Sequence, residues 1–161
     1  MTRVPIELTI NGEQHELLIS PHWSLLHVLR SVIGLAGSKE NCLEAECGVC
    51  TVLLDGKAVN SCIVLAEQCR GRRIITIEGL GDPEHLHPLQ EAFIRHGAVQ
   101  CGYCIPGMIL TAQSYLDEHR GWVPSRDEIR EAISGTLCRC TGYQKIIDAI
   151  AEVAAGTNAR T

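Results

Sequence analysis

Of the nine cysteines in this 161-residue chain, eight fall into two sets spaced like metal ligands. The first set reads Cys42-x4-Cys47-x2-Cys50-x11-Cys62. A C-x4-C-x2-C opening with a distant fourth Cys is the plant-type spacing for a [2Fe-2S] cluster. Three thiolates on one tight loop wrap a small cluster, and a hairpin at Asp55-Gly56 brings back the fourth. Gly48, between two ligands, lets the backbone pass close to inorganic sulfide. Structural zinc is more often held by two C-x2-C knuckles, which this pattern is not. The second set is Cys101-x2-Cys104, then 33 residues, then Cys138-x-Cys140. Taken alone, it also reads as a redox couple beside two unrelated thiols. Its context favours a second cluster, because Cys104 precedes Pro106 and Cys140 precedes Thr141-Gly142-Tyr143, each at the start of an expected helix. Two helix N-termini would then offer N–H groups and partial positive charge to one anionic centre. Cys69 is left over, and a lone helical Cys reads as a small buried hydrophobe.

No other residue type competes for this chemistry. Seven histidines are present, but none stands at a metal-like distance from a Cys, so His85 and His87 are read as linker residues. The carboxylates show no pair set for acid–base work. Gly79 and Gly81 lack the Lys-Ser/Thr ending of a phosphate loop. The expectation is metal-bound electron transfer without bond-making by this chain.

The elements that must position these ligands divide at a linker. Ile6, Leu8 and Ile10 alternate with polar residues, Asn11-Gly12 offers a hairpin turn, and Leu17 to Ile19 return. Ser24 caps an expected helix with Leu25, Val28, Leu29 and Val32 on one face. A second hairpin runs from Thr51 through Asp55-Gly56 to Val59, and Ile74, Ile75 and Ile77 form a last strand. Gly79, Gly81, Asp82, Pro83 and Pro88 mark the linker. Beyond it four helices are expected. Pro88 opens the first, which Gly97 stops, and Pro106 opens the second. Ser125 and Glu128 box the start of the third, and Ile146, Ile150 and Val153 stripe the fourth, with a frayed tail from Gly156. The predicted class is α+β, with a sheet-containing domain at 1–79 and an all-α four-helix domain at 80–161.

Composition narrows the partners. At 45% hydrophobic and 20% charged, the chain is globular in composition. A net charge of −5 with scattered Lys and Arg gives no footprint for nucleic acid, and 4% aromatics leaves little for base stacking. No run is long enough to enter a bilayer, and no signal peptide is visible. A disulfide framework is the weaker reading of an odd cysteine count.

Three segments carry a resemblance: Glu46-Cys47-Gly48-Val49-Cys50-Thr51-Val52, Val99-Gln100-Cys101-Gly102-Tyr103-Cys104-Ile105-Pro106-Gly107-Met108 and Leu137-Cys138-Arg139-Cys140-Thr141-Gly142-Tyr143. From about Glu7 to Val153 the chain resembles the small iron–sulfur subunit of molybdenum hydroxylases, the xanthine dehydrogenase, aldehyde oxidoreductase and carbon monoxide dehydrogenase family. The resemblance implies a β-grasp ferredoxin-like domain followed by a four-helix domain, each holding one [2Fe-2S] cluster. It implies an inner cluster on Cys101, Cys104, Cys138 and Cys140, beside the molybdopterin of a separate large subunit. The outer cluster, on Cys42, Cys47, Cys50 and Cys62, faces an FAD subunit or a cytochrome or quinone acceptor. Gln100 and Cys140 are implied as contacts to the pterin. Arg139, between two ligands, reads either as a charge partner for the cluster or as a contact to the neighbouring subunit. Tyr103 and Tyr143 are read as packing the two cluster loops. Such chains work in heterocomplexes, often dimers of heterotrimers, with cytoplasm as the default location unless a partner carries an export signal. The rival readings are a free ferredoxin-like carrier, which has no need of a helical domain, and a zinc-binding interaction module.

The chain departs from the family pattern at several points. The first loop commonly begins Gly-Cys-Asp and carries Gly two residues before the second Cys, where this chain has Asn41 and Ala45. The usual Cys-Thr-Pro-Gly is Cys104-Ile105-Pro106-Gly107, and the usual Asn before Leu-Cys-Arg-Cys is Thr136. None of these removes a ligand. Glu40, Glu44 and Glu46 add negative charge around the outer site, which disfavours reduction. The outer cluster is therefore expected at a lower potential than in a Glu46→Gln variant, and a redox titration showing no shift would refute this.

Overall fold

The computed structural model describes residues 3–158. Strands β1 (Val4–Ile10) and β2 (Glu13–Ile19) form the first hairpin. Ile6, Leu8 and Ile10 are buried at alternate positions, as a strand with one face on a core requires. Asn11 and Gly12 turn the chain at φ +52° and +86°, the pair of left-handed conformations that suits a two-residue hairpin. Asn11 also ties this turn to the strand that lies beside β1, at Ile74 and Thr76. Its N–H donates to the Ile74 carbonyl at 2.9 Å, and its side-chain oxygen accepts the Thr76 N–H at 2.9 Å.

The remaining strands are β3 (Thr51–Leu54), β4 (Lys57–Asn60) and β5 (Arg73–Ile75). Sheet order is β2-β1-β5-β3-β4, with β1 and β5 parallel and the other pairs antiparallel. Ile77 does not extend β5 as the sequence suggests. Thr76 is held by Asn11 and by its own hydroxyl donating to Glu78 Oε2 at 2.6 Å, and Ile77–Gly79 coils into a 3-10 turn.

Ser24 caps as expected, its Oγ accepting the His27 N–H at 3.2 Å. The helix it starts is brief: α1 (Leu25–His27) widens directly into a π-helical turn, Val28–Ile33. The wider turn shifts the phase of the apolar stripe. Leu25, Val28 and Leu29 stay buried, while Val32 turns outward.

Beyond irregular residues 81–87 the chain is helical: α2 (Pro88–Arg95), α3 (Ile105–Glu118), α4 (Arg126–Ala132) and α5 (Tyr143–Asn158). Ser125 and Glu128 cap α4 reciprocally, with bonds of 3.3 and 2.7 Å. His87 caps α2 through a ring nitrogen that accepts the Leu89 N–H. Helix α5 continues through Gly156 to Asn158 where fraying was expected, and residues past it lie outside those described.

Two apolar cores result. One joins Ile6, Leu8, Leu25, Leu29, Val52 and Ile74 between the sheet and the α1 segment, with Cys69 buried in it as expected. The other joins Phe93, Met108, Ile129, Ile146 and Ile150 among the helices, and it also takes in Cys47 and Val49 from the first cysteine loop. Helix α3 seals the join from outside. Buried Ser114 accepts the Ala58 N–H at 3.0 Å and donates to the Gly56 carbonyl at 3.2 Å, and Glu118 pairs with Lys57 at 2.7 Å. Ser114→Ala strips both partners in the β3–β4 hairpin. Its expected cost is about 1–3 kcal/mol in thermal or urea unfolding.

Candidate iron–sulfur centres

The outer set is assembled by one loop and one hairpin. Strand register places Thr51 opposite Asn60, so Cys50 and Cys62 leave β3 and β4 side by side. Ser61 fixes this exit by donating its hydroxyl to the Cys50 carbonyl at 2.6 Å. Asn60 reaches back to hold the Ala45 carbonyl at 3.0 Å, closing the loop that carries Cys42 and Cys47. The Cys47 N–H points at Cys42 Sγ, 3.4 Å away. Backbone N–H groups of Glu44 and Cys47 draw the Cys42 thiol down to about 7, so it sheds its proton readily. Burial pushes Cys50 the other way, up to about 11, with the Cys62 thiol against it.

The inner set sits where two helices begin. Cys104 is the residue before α3, and burial raises its thiol to about 12 with Cys138 as close neighbour. Burial also raises Cys138, but N–H groups of Gly142, Cys140 and Thr141 and the Cys104 thiol outweigh it and leave it below the ordinary thiol range. These N–H groups precede α5, and Cys104 itself precedes α3, so the inner thiols lie where two helices begin. Tyr143 ties this loop internally: its hydroxyl accepts the Cys138 N–H at 2.7 Å and donates to the Thr136 carbonyl at 3.3 Å. Tyr103 ties one loop to the other, donating to the Glu40 carbonyl. Both tyrosines thus pack and fasten the loops, as the sequence suggested.

The two sets meet backbone to backbone. The Leu137 N–H donates to the Cys47 carbonyl at 2.9 Å, joining an outer cysteine to the neighbour of Cys138. Gly48, at φ +67°, lies so close that a Cβ there would stand 2.4 Å from the Gly135 carbonyl oxygen. Gly107 in α3 closes the same contact, since its Cβ would stand 2.5 Å from the Gly48 carbonyl oxygen. A cavity between the loops is lined by Cys47, Cys101, Cys104 and Cys138. Gln100 and Cys140 line a small pocket on the other side of the inner thiols, with Gln100 exposed and its amide against Gly142.

Among the described residues, no three His, Cys, Asp or Glu side chains converge on a point that one ion would fill. The thiols meet in pairs instead: Cys42 with Cys47, Cys50 with Cys62, Cys104 with Cys138. Two thiolates per iron is what a two-iron cluster asks of four cysteines; the outer quartet has both pairs, the inner one has Cys104 with Cys138 while Cys101 and Cys140 line the same small pocket, and this donor set fits that group.

Residues 76–151 match the [2Fe-2S] binding domain family. Over 150 residues the chain is 47% identical to the small FeS subunit of nicotinate dehydrogenase from Eubacterium barkeri, covering 93% of this chain and 94% of that one. It is 42% identical over 147 residues to the iron-sulfur-binding subunit of xanthine dehydrogenase from Escherichia coli O157:H7, covering 91% of this chain and 92% of that one. A chain of quinoline 2-oxidoreductase from Pseudomonas putida 86 superposes with a TM-score of 0.91 at 48% identity, covering 99% of this chain and 98% of that one. The chain belongs to the iron–sulfur subunits of the molybdenum hydroxylases.

Within that family two of this subunit's departures, Asn41 and Ala45, lie in the outer loop. Asn41, standing where relatives commonly have Gly, is not among the residues with positive φ. The left-handed positions are Leu43, at φ +62°, and Ala45, at φ +65°. Sequence reasoning flagged Ala45 as a lost glycine but had no signal for Leu43. It also missed the contact made by Gly107, although a glycine inside a helix is itself a mark of close approach. A left-handed non-glycine residue costs roughly 1–2 kcal/mol. Ala45→Gly is therefore expected to raise the stability of this subunit by about 1 kcal/mol and to slow iron loss to a chelator; faster loss would show that Ala45 is not strained.

Proposed function

We propose that this chain is the electron-transfer subunit of a molybdenum hydroxylase-type oxidoreductase. It would pass electrons one at a time from a molybdopterin centre on a larger partner, through two [2Fe-2S] clusters, to FAD or another acceptor. The carrying observation is the pair of cysteine quartets placed on either side of one backbone contact, Leu137 N–H to Cys47 O. Cys101, Cys104, Cys138 and Cys140 would hold the inner cluster, and Cys42, Cys47, Cys50 and Cys62 the outer one. A [2Fe-2S] cluster, when bound, supplies a one-electron couple tuned by hydrogen bonds to its sulfurs and by burial. The chain's own residues do the rest. The turn before α5 brings backbone N–H groups to Cys138, and the glycine contact holds both quartets at one separation.

The exposed rim beside the inner thiols fits a subunit interface. Gln100, Cys101, Tyr103, Leu137 and Arg139 are all exposed there, with Leu137 at 55% and Tyr103 at 46%. Gln100 and Cys140 would face the pterin. An FAD-binding or other acceptor subunit would meet the outer loop, in a dimer of heterotrimers. The reading divides the chain at 1–79 and 80–161, and places the complex in the cytoplasm. No helix among the described residues is long and apolar enough to cross a membrane. A free ferredoxin-like carrier would have no use for the apolar rim around Leu137.

The test is metal and subunit analysis of the complex purified from its own cells. The expected result is about four irons and four labile sulfides per copy of this chain, with molybdenum and larger subunits co-purifying. Iron without molybdenum or partners would favour the free carrier, and zinc in place of iron would refute both.

A further inference from the structure

Ser38 lies in the segment that leads from the α1 turn into the first cysteine loop, and it is 1% exposed. Among the described residues its Oγ is the buried side-chain polar atom that has no hydrogen-bond partner. An unpaired buried hydroxyl costs roughly 1–3 kcal/mol. The backbone around it is nevertheless pinned. Arg30 Nη1 donates to the carbonyls of Ala36 and Ser38 at 2.9 and 2.7 Å, and the Gly37 N–H donates to Glu78 Oε1 at 2.7 Å. On the other side the Lys39 N–H donates to the Val49 carbonyl at 3.2 Å, which lays this segment against the stretch Val49-Cys50.

Carbonyls of that stretch already have donors. Gly48 O takes the Thr51 hydroxyl at 2.7 Å, Val49 O takes Lys39, and Cys50 O takes the Ser61 hydroxyl. The polypeptide therefore holds a buried hydroxyl donor on the segment that is laid along Val49, the residue before the ligand Cys50, while supplying no acceptor for it, cysteine sulfur included. We propose that the Ser38 hydroxyl donates a hydrogen bond to an inorganic sulfide of the outer [2Fe-2S] cluster and so raises its reduction potential. The inference rests on Cys42, Cys47, Cys50 and Cys62 holding that cluster. A donor aimed at sulfur favours the more negative, reduced form. Ser38 thus offsets part of the opposing effect of Glu40, Glu44 and Glu46, which are exposed on the same loop.

The test is an EPR-monitored redox titration of both clusters in the purified complex, comparing wild type, Ser38→Ala and Ser38→Thr. Ser38→Ala is expected to reduce the outer cluster's reduction constant on the order of tenfold, about 59 mV for one electron, with the inner potential unmoved. Ser38→Thr, which keeps the hydroxyl, is expected to titrate like wild type. An unmoved outer potential in a fully iron-loaded Ser38→Ala complex overturns the proposal and assigns the hydroxyl to a buried water. Should Ser38→Ala fail to retain the outer cluster, Ser38→Cys decides. It keeps the volume but has only a weak donor, so an outer potential equal to wild type overturns the proposal and a lowered one supports it. A wild-type complex with iron and an EPR signal for one cluster alone would instead sink the assignment of the outer quartet, whatever Ser38 does.

Discussion

The contact among Gly48, Gly107 and the Gly135–Thr136 segment is the constraint on which the arrangement turns. Backbone meets backbone there with no space for a methyl group, and the Leu137–Cys47 hydrogen bond is possible only at that separation. Side-chain packing alone would tolerate small shifts between the sheet and the helices. A main-chain hydrogen bond framed by glycines tolerates very little, because any displacement leaves a buried N–H and C=O without partners. Both quartets inherit this rigidity, since each has a cysteine within one residue of the bond.

Electrostatics divides labour within each quartet. In both, one thiol is made easy to ionise by backbone N–H groups, Cys42 in the loop and Cys138 before α5, while a buried partner resists, Cys50 and Cys104 respectively. The nearby structural polar groups are spent on backbone. Ser61, Asn60 and Tyr143 each bond main-chain groups of the loops.

Much of this was legible in the sequence because the signals are local. Hairpin turns at Asn11-Gly12 and Asp55-Gly56, the caps at Ser24 and Ser125 and the starts at Pro88 and Pro106 depend on a few adjacent residues, and the structure has them where expected. The ligand spacings were equally local. What the sequence left hidden is set by distant contacts. Val32 and Ile77 follow a plausible pattern that a π-turn and a hydrogen bond to Asn11 override. Cys47 and Val49 belong by sequence to the sheet half and by packing to the helical core, so a division at residue 79 describes the chain's order better than its interior. Left-handed backbone at Leu43 carries no compositional mark at all.

The parallel pairing of β1 with β5 has a bearing on how the chain is made. During synthesis the first cysteine loop leaves the ribosome before β5 exists to close the sheet around it. Its far wall, at Gly135 and Thr136, follows only after α2, α3 and α4. The outer thiols therefore wait in an open chain until α4 has emerged, while the inner pair at Cys138 and Cys140 emerges after them. Vectorial growth gives this protein a long window in which its earliest ligands must be kept reduced, and its architecture closes over both sites in one late event.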